Sequence, residues 1–172
     1  RYKRGKVIFL VRDPRDVIVS HFYQVTKRAK NPFVFNSIAE FMKDDILGFK
    51  RIIHFYNLWY NNRNVPKNFL LVSYENLMNN GIQELKKIIG FLAINVSEDT
   101  IRKIYKESSA STMREKEINN KLEGFNDFGK SKNQLKVRNA QIGGYKSELS
   151  KEDILYCNIE MKKLNTYFGY RV

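Results

Sequence analysis

Cysteine occurs once in the 172 residues and histidine twice. A single thiol excludes an intrachain disulfide, and His21 and His54 stand far apart with no motif partners, so no metal site is expected. Cys157 lies in an apolar-patterned helix and reads as a small buried hydrophobe. No apolar run approaches the roughly 18–20 residues that a membrane-spanning helix needs, and no signal-peptide core precedes the first strand. The expectation is therefore a soluble chain without a transmembrane segment, with the cytoplasm as its compartment. Acidic residues are scarce beside basic ones, 18 against 31, for a formal charge of +13. The chain opens on Arg1-Tyr2-Lys3-Arg4-Gly5, one step before a core strand, and reads as a fragment or a processed product.

An excess of base on this scale suits nucleic acid, an anionic membrane surface or an acidic ligand. Its distribution says more than its size. Residues 1–30 have a net charge of +7 and residues 130–146 a net charge of +5, which leaves +1 for the rest. Two basic segments so far apart in sequence either converge on one anionic site or form two solvated surfaces. The length supports one domain, and 42% hydrophobic residues supports a core.

Apolar strands alternate with longer amphipathic helices, which places the chain in the α/β class. Val7 to Val11 reads as a buried strand over 6–12, followed by a helix over 14–28 that Asn31-Pro32 breaks. Asn36-Ser37 caps a helix with apolar positions Ile38, Phe41, Met42 and Ile46, and Gly48 interrupts it. Phe49, Ile52, Ile53, Tyr56 and Trp59 continue the stripe as core. Phe69 to Tyr74 reads as a second strand, followed by helices over 82–92 and 98–106. Residues 107–146 are polar and poorly periodic, either a long ligand-covering loop or local disorder. A last helix runs from Ser150 to Phe168.

The most informative passage is Arg12-Asp13-Pro14-Arg15-Asp16-Val17-Ile18-Val19-Ser20. A basic residue at the carboxyl end of a strand, beside the start of a helix, is where α/β folds hold anions. Asp13 suits the cap, Pro14 the first helical position and Asp16 the first turn. Read from these residues alone, an anion site and a well-capped surface helix are equally open.

The passage resembles the 3′-phosphate-binding segment of sulfotransferases that use 3′-phosphoadenosine 5′-phosphosulfate (PAPS): Arg, Asp four residues on, then Val-x-Val-Ser. The resemblance assigns the 3′-phosphate to Arg12 and Ser20. Phe69 to Leu77 is similar to the family strand ending in Tyr-Glu-Asp-Leu/Met, which gives Tyr74 the adenine end of the nucleotide. Lys86 to Leu92 resembles the family helix ending in Phe-Leu-Gly. Ser108-Ser109-Ala110-Ser111-Thr112-Met113 resembles Thr/Ser-Ser-Phe-x-x-Met; Ser108 is a polar contact there, while Ala110 stands where the family has the Phe that packs on adenine. Arg138 to Lys146 resembles Arg-Lys-Gly-x-x-Gly-Asp-Trp-Lys, the loop that closes over the 3′-phosphate. Arg138 and Gly143 match, Asn139 replaces the Lys and Ala140 replaces a Gly, leaving their backbone amides as contacts.

The resemblance implies a P-loop-like three-layer fold with a parallel sheet flanked by helices, of which residues 1–172 are the C-terminal portion of a single domain. It implies transfer of a sulfuryl group from PAPS to an unidentified hydroxyl or amine acceptor, without a metal. The family's 5′-phosphosulfate loop, of Pro-Lys-Ser/Ala-Gly-Thr type, and its catalytic His precede the first strand; neither is among these residues, so no catalytic residue is assigned and the fragment is expected to be inactive alone. Residues 29–48 and 115–135 are the expected contributors to the acceptor pocket. Two alternatives stand beside this reading, a basic nucleic-acid-binding module and a kinase-like P-loop nucleotide-binding fragment. No RNA-recognition, KH or zinc-finger signature supports the first.

Overall fold

A computed structural model describes residues 2–29, 31–119 and 135–172. Two parallel strands, β1 (Lys6–Val11) and β2 (Asn68–Ser73), pair in register from Lys6 against Asn68 to Val11 against Ser73. Parallel strands need a long crossover. Here it is α1 (Pro14–Tyr23), α2 (Ile38–Lys43) and α3 (Phe49–Asn61). After β2 come α4 (Tyr74–Asn79), α5 (Gly81–Leu92), α6 (Glu98–Glu107), α7 (Ala110–Ile118) and α8 (Lys151–Met161). This is a mixed α/β fold with a parallel sheet flanked by helices.

One face of the sheet, bearing Phe9, Val11, Phe69 and Leu71, packs into a core with α1, α2, α3 and α8. Phe41 and Phe49 are fully buried there, each stabilising the fold by roughly 1.5–3 kcal/mol through removal from water. Trp59 stacks on Phe9, with ring centroids 5.1 Å apart, so the aromatic stripe of α3 is core. On the opposite face Val72 is buried, whereas Ile8 and Leu10 are exposed at 37% and 54%. The reading of β1 as a buried strand therefore holds for the face of Phe9 and Val11, while among the described residues Ile8 and Leu10 stay exposed on the other.

The helix read over 14–28 forms as α1 continued by a π-helical turn over Gln24–Arg28. Thr26 donates its hydroxyl to the Phe22 carbonyl at 2.7 Å, a bond that competes with the regular ladder. The wider turn ends on Arg28, which is buried. Ser37 caps α2 by accepting the amide of Glu40 at 3.1 Å. Helix α2 ends at Lys43, and Gly48 precedes α3 at a point where a Cβ would lie 2.3 Å from the Asp44 carbonyl oxygen. Ile46, read as a core position, is 76% exposed, since the chain has already left the helix.

Three boundaries differ from the sequence reading. Tyr74 does not end a strand but opens α4, where Ser73 accepts the Asn76 amide at 3.1 Å. Part of the segment read as loop over 107–146 is α7, capped by Ser109 accepting the Thr112 amide at 3.3 Å; residues 120–134 lie outside the described residues. The last helix ends at Met161, and Thr166–Phe168 forms a separate 3-10 turn. Among the described residues no helix is long and apolar enough to cross a membrane.

Candidate functional site

The site begins where β1 passes into α1. Asp13 caps the helix, its carboxylate accepting the Arg15 amide at 2.9 Å, and Pro14 takes the first position, where no amide is needed. The phenol of Tyr56 fixes the strand end: it accepts the Arg12 amide at 3.1 Å and donates to the Arg12 carbonyl at 2.8 Å. Burial pushes that phenol up to about 12. Glu75 accepts the Asp13 amide at 2.9 Å and the Tyr170 hydroxyl at 2.7 Å. The start of α1 is thereby tied to α4 and to the last residues of the chain.

From this frame the Arg12 side chain reaches a cavity of about 230 Å³. Its guanidinium lies 3.2 Å from Asp16, donates to the Gln141 carbonyl at 2.6 Å and sits 4.3 Å from the Tyr74 ring centroid. Its Nε is buried and has no hydrogen-bond partner among the described residues. A buried donor without a partner is costly in isolation, and a phosphate oxygen is an acceptor that suits it. Ser20 lies two turns along α1 from Arg12, exposed on the helix face that lines the cavity.

The opposite wall is the segment 136–145, which two elements hold in place. The buried carboxylate of Glu117, in α7, accepts the amides of Lys136 at 2.7 Å and Val137 at 3.1 Å. Arg114 donates to the carbonyls of Val137 at 2.9 Å and Arg138 at 2.8 Å. At the other end Asp16 accepts the amides of Gly143 and Tyr145. Arg138 stacks over Tyr23, 4.0 Å from the ring centroid, and pairs with Glu148. Asn139 borders the same carboxylate. Ala140 has φ +52°, a left-handed conformation that costs an L-residue roughly 1–2 kcal/mol.

The structure therefore brings Arg12, Ser20, Tyr74, Arg138, Asn139 and Ala140 to one cavity, across 126 residues of sequence from Arg12 to Arg138. The two basic segments converge there through Arg12, Arg28, Lys136 and Arg138, although Lys130 and Lys132 of the second lie outside the described residues. Ser108 does not line this cavity. It lines another of about 630 Å³ with Tyr105, Leu77 and Thr112. Tyr74 borders both, so they meet at one ring.

Sequence reasoning missed Arg28, Asp16 and Gln141 as cavity residues. Arg28 follows Ser20 by eight, a spacing that puts both on one helix face, but the π turn is invisible in a hydropathy pattern. The carbonyl of Leu135 accepts a hydrogen bond from Arg28, and burial holds this guanidinium below its ordinary value.

A third, largely apolar cavity of about 440 Å³ lies beside Arg12 and Tyr74, lined by Leu10, His21, Leu47 and Phe55. Leu47 and neighbouring Ile46 fall within the 29–48 span expected at the acceptor; the 115–135 span falls mostly outside the described residues. Burial holds His21 below the ordinary imidazole value, while His54 is exposed. Cys157 is a buried free thiol pushed up to about 12 by burial. Among the described residues no three His, Cys, Asp or Glu side chains are grouped to hold a metal ion.

The layout is that of a mixed α/β domain with a cationic pocket at the carboxyl edge of its parallel sheet. The profile of the family described as "Sulfotransferase domain" matches residues 2–163, and the chain belongs to that family. Sulfotransferase 2A1 of Macaca fascicularis is 33% identical over 154 residues, covering 86% of this chain and 52% of that protein. Sulfotransferase 2A6 of Rattus norvegicus is 31% identical over 119 residues, covering 68% of this chain and 42% of that protein. The chain thus spans about half the length of the curated relatives it matches. Among solved structures, mouse sulfotransferase SULT7A1 complexed with PAP superposes with a TM-score of 0.71 at 23% identity, over 92% of this chain and 57% of that one. Retinol dehydratase in complex with androsterone and inactive cofactor PAP gives 0.71 at 21% identity, over 91% and 46%. These two likenesses show a shared fold.

Proposed function

We propose that residues 1–172 are the C-terminal portion of a single sulfotransferase domain and supply the 3′-phosphate and adenine contacts for PAPS in sulfuryl transfer to a hydroxyl or amine acceptor. The observation that carries the reading is the convergence of Arg12, Ser20 and Arg138 on one cavity, with Arg12 Nε buried and, among the described residues, without a hydrogen-bond partner. Arg12 grips phosphate oxygens through its planar fork, and Ser20 adds a neutral donor. Asp16 holds the Arg12 guanidinium in place and, through the amides of 143 and 145, holds the opposite wall. Asn139 and Ala140 offer backbone amides to the same oxyanion. Tyr74 turns the ligand from the cationic cavity into the one containing Ser108, where the adenine lies.

In the transfer, the sulfur–oxygen bond to the 5′-phosphate breaks as a sulfur–oxygen or sulfur–nitrogen bond to the acceptor forms, and the acceptor's proton leaves to a base. These residues hold the nucleotide still while that occurs; positioning and charge stabilisation carry such a transfer. Neither His21 nor His54 is assigned as the base. The apolar cavity sharing Arg12 and Tyr74 supports an apolar acceptor on that side. The SULT7A1 and retinol dehydratase structures were solved with PAP, which agrees with this co-substrate. The nucleic-acid and kinase-like readings draw no support from the relatives. The compartment proposed is the cytoplasm.

Calorimetric titration of the intact protein with adenosine 3′,5′-bisphosphate tests the reading. Arg12→Ala should weaken binding by about 3 kcal/mol, roughly a hundredfold, because a charge-assisted fork is lost. Equal affinities would sink it.

A further inference from the structure

We propose that Tyr105 supplies the aromatic platform for the nucleobase, a role that position 110 cannot fill. This rests on the nucleotide reading above and adds a residue to it. The cavity beyond Tyr74 is mostly apolar and holds about 630 Å³, ample for a purine. Its wall over positions 108–112 is small and hydroxylic, and Ala110 offers a flat ligand only a methyl group. Among the described residues, two aromatic rings line the cavity, Tyr74 and Tyr105. Tyr74 is already committed, with the Arg12 guanidinium 4.3 Å from its centroid.

Tyr105 is placed differently. It projects from the last turns of α6 against Gly81, the first residue of α5. A Cβ at position 81 would lie 2.0 Å from Tyr105 Cε2 and 2.7 Å from Cδ2 and Cζ, so the ring occupies space that only a glycine leaves open. A ring seated on backbone has lost most of its freedom before a ligand arrives, which lowers the entropic cost of stacking. At 36% exposure it also keeps surface free on the cavity side. Base–aromatic stacking tolerates any base, since each has a π-face. The platform therefore contributes affinity, and the phosphate cavity contributes selection.

The test compares wild type, Tyr105→Phe and Tyr105→Leu in the intact protein, all three checked for equal thermal stability. The probes are adenosine 3′,5′-bisphosphate and its abasic counterpart, 1-deoxyribose 3,5-bisphosphate. Tyr105→Leu should bind the nucleotide roughly tenfold more weakly and the abasic sugar unchanged; Tyr105→Phe should match wild type for both. Unchanged nucleotide binding by Tyr105→Leu would overturn the proposal. An equal loss for both probes would overturn it too, because the ring would then be acting on the fold. If Arg12→Ala weakens nucleotide binding while Tyr105→Leu does not, this inference alone fails. If Arg12→Ala has no effect, the nucleotide reading fails with it.

Discussion

Asp16 accepts the backbone amide of Gly143 at 2.8 Å, joining the first turn of α1 to a segment 127 residues away. Its other oxygen accepts the Tyr145 amide at 2.9 Å, and Arg12 lies 3.2 Å from the carboxylate. At 3% exposure the group is nearly dry. Its charge is compensated by one guanidinium and two amide dipoles, the condition under which a buried carboxylate is tolerated.

Asp16→Asn keeps the shape but offers one acceptor oxygen where two are needed. One buried amide is left unsatisfied, and Arg12 loses its counter-charge. We expect a loss of about 1–3 kcal/mol in urea unfolding, with weaker bisphosphate binding alongside. A variant as stable as wild type would contradict the role given to this carboxylate.

Two alanines occupy left-handed backbone, Ala93 at φ +59° and Ala140 at φ +52°. Ala93 closes α5 in a Schellman arrangement: its amide donates to the Gly90 carbonyl at 3.0 Å, and the Ile94 amide donates to the Ile89 carbonyl at 3.2 Å. Glycine removes the Cβ penalty but adds unfolded-state freedom, so the net gain is smaller than the strain. Ala93→Gly and Ala140→Gly should each stabilise the protein by about 0.5–1 kcal/mol, read from denaturant midpoints at constant slope. Destabilisation by either would show that its backbone is not strained.

His21 is half-buried, its ring edge-on to Phe41 with centroids 5.3 Å apart. Burial lowers its proton affinity, with a backbone hydrogen bond to Leu47 opposing in part. Below the ordinary histidine value, about 6.5, the unfolded chain takes up a proton that the folded chain refuses. Stability from this group is therefore present at pH 7.5 and is lost as pH falls from about 6.5 toward the lowered folded value. Between pH 7.5 and 5.5 wild type should lose more stability than His21→Phe. Parallel curves would remove His21 from the account.

Most of what places the cavity was legible in the sequence. Asp13-Pro14 marks a helix start, and Ser37 with Glu40 marks another, because caps are local chemistry. The convergence of Arg12 with Arg138 was legible only through the family resemblance and the two-segment charge map, since no local pattern carries a contact across 126 residues. Helix α7 escaped because residues 110–118 carry no apolar stripe. It is held instead by Glu117 and Arg114 bonding to a distant backbone. The end of α8 escaped for the opposite reason: Leu164 and Phe168 stay buried beyond Met161, so apolar spacing continues after the helix stops. Exposed Ile8 and Leu10 mislead similarly, for hydropathy reports what a strand can bury and not what covers it.

The central claim is that Arg12, Ser20 and Arg138 form a site for a 3′-phosphate. Its most direct test is the affinity ratio of adenosine 3′,5′-bisphosphate to adenosine 5′-monophosphate, measured calorimetrically in the intact protein and in Arg12→Ala. The account predicts that wild type prefers the bisphosphate by roughly a hundredfold, and that Arg12→Ala abolishes most of the preference while leaving monophosphate binding nearly unchanged. A wild type that binds the two nucleotides equally would contradict it.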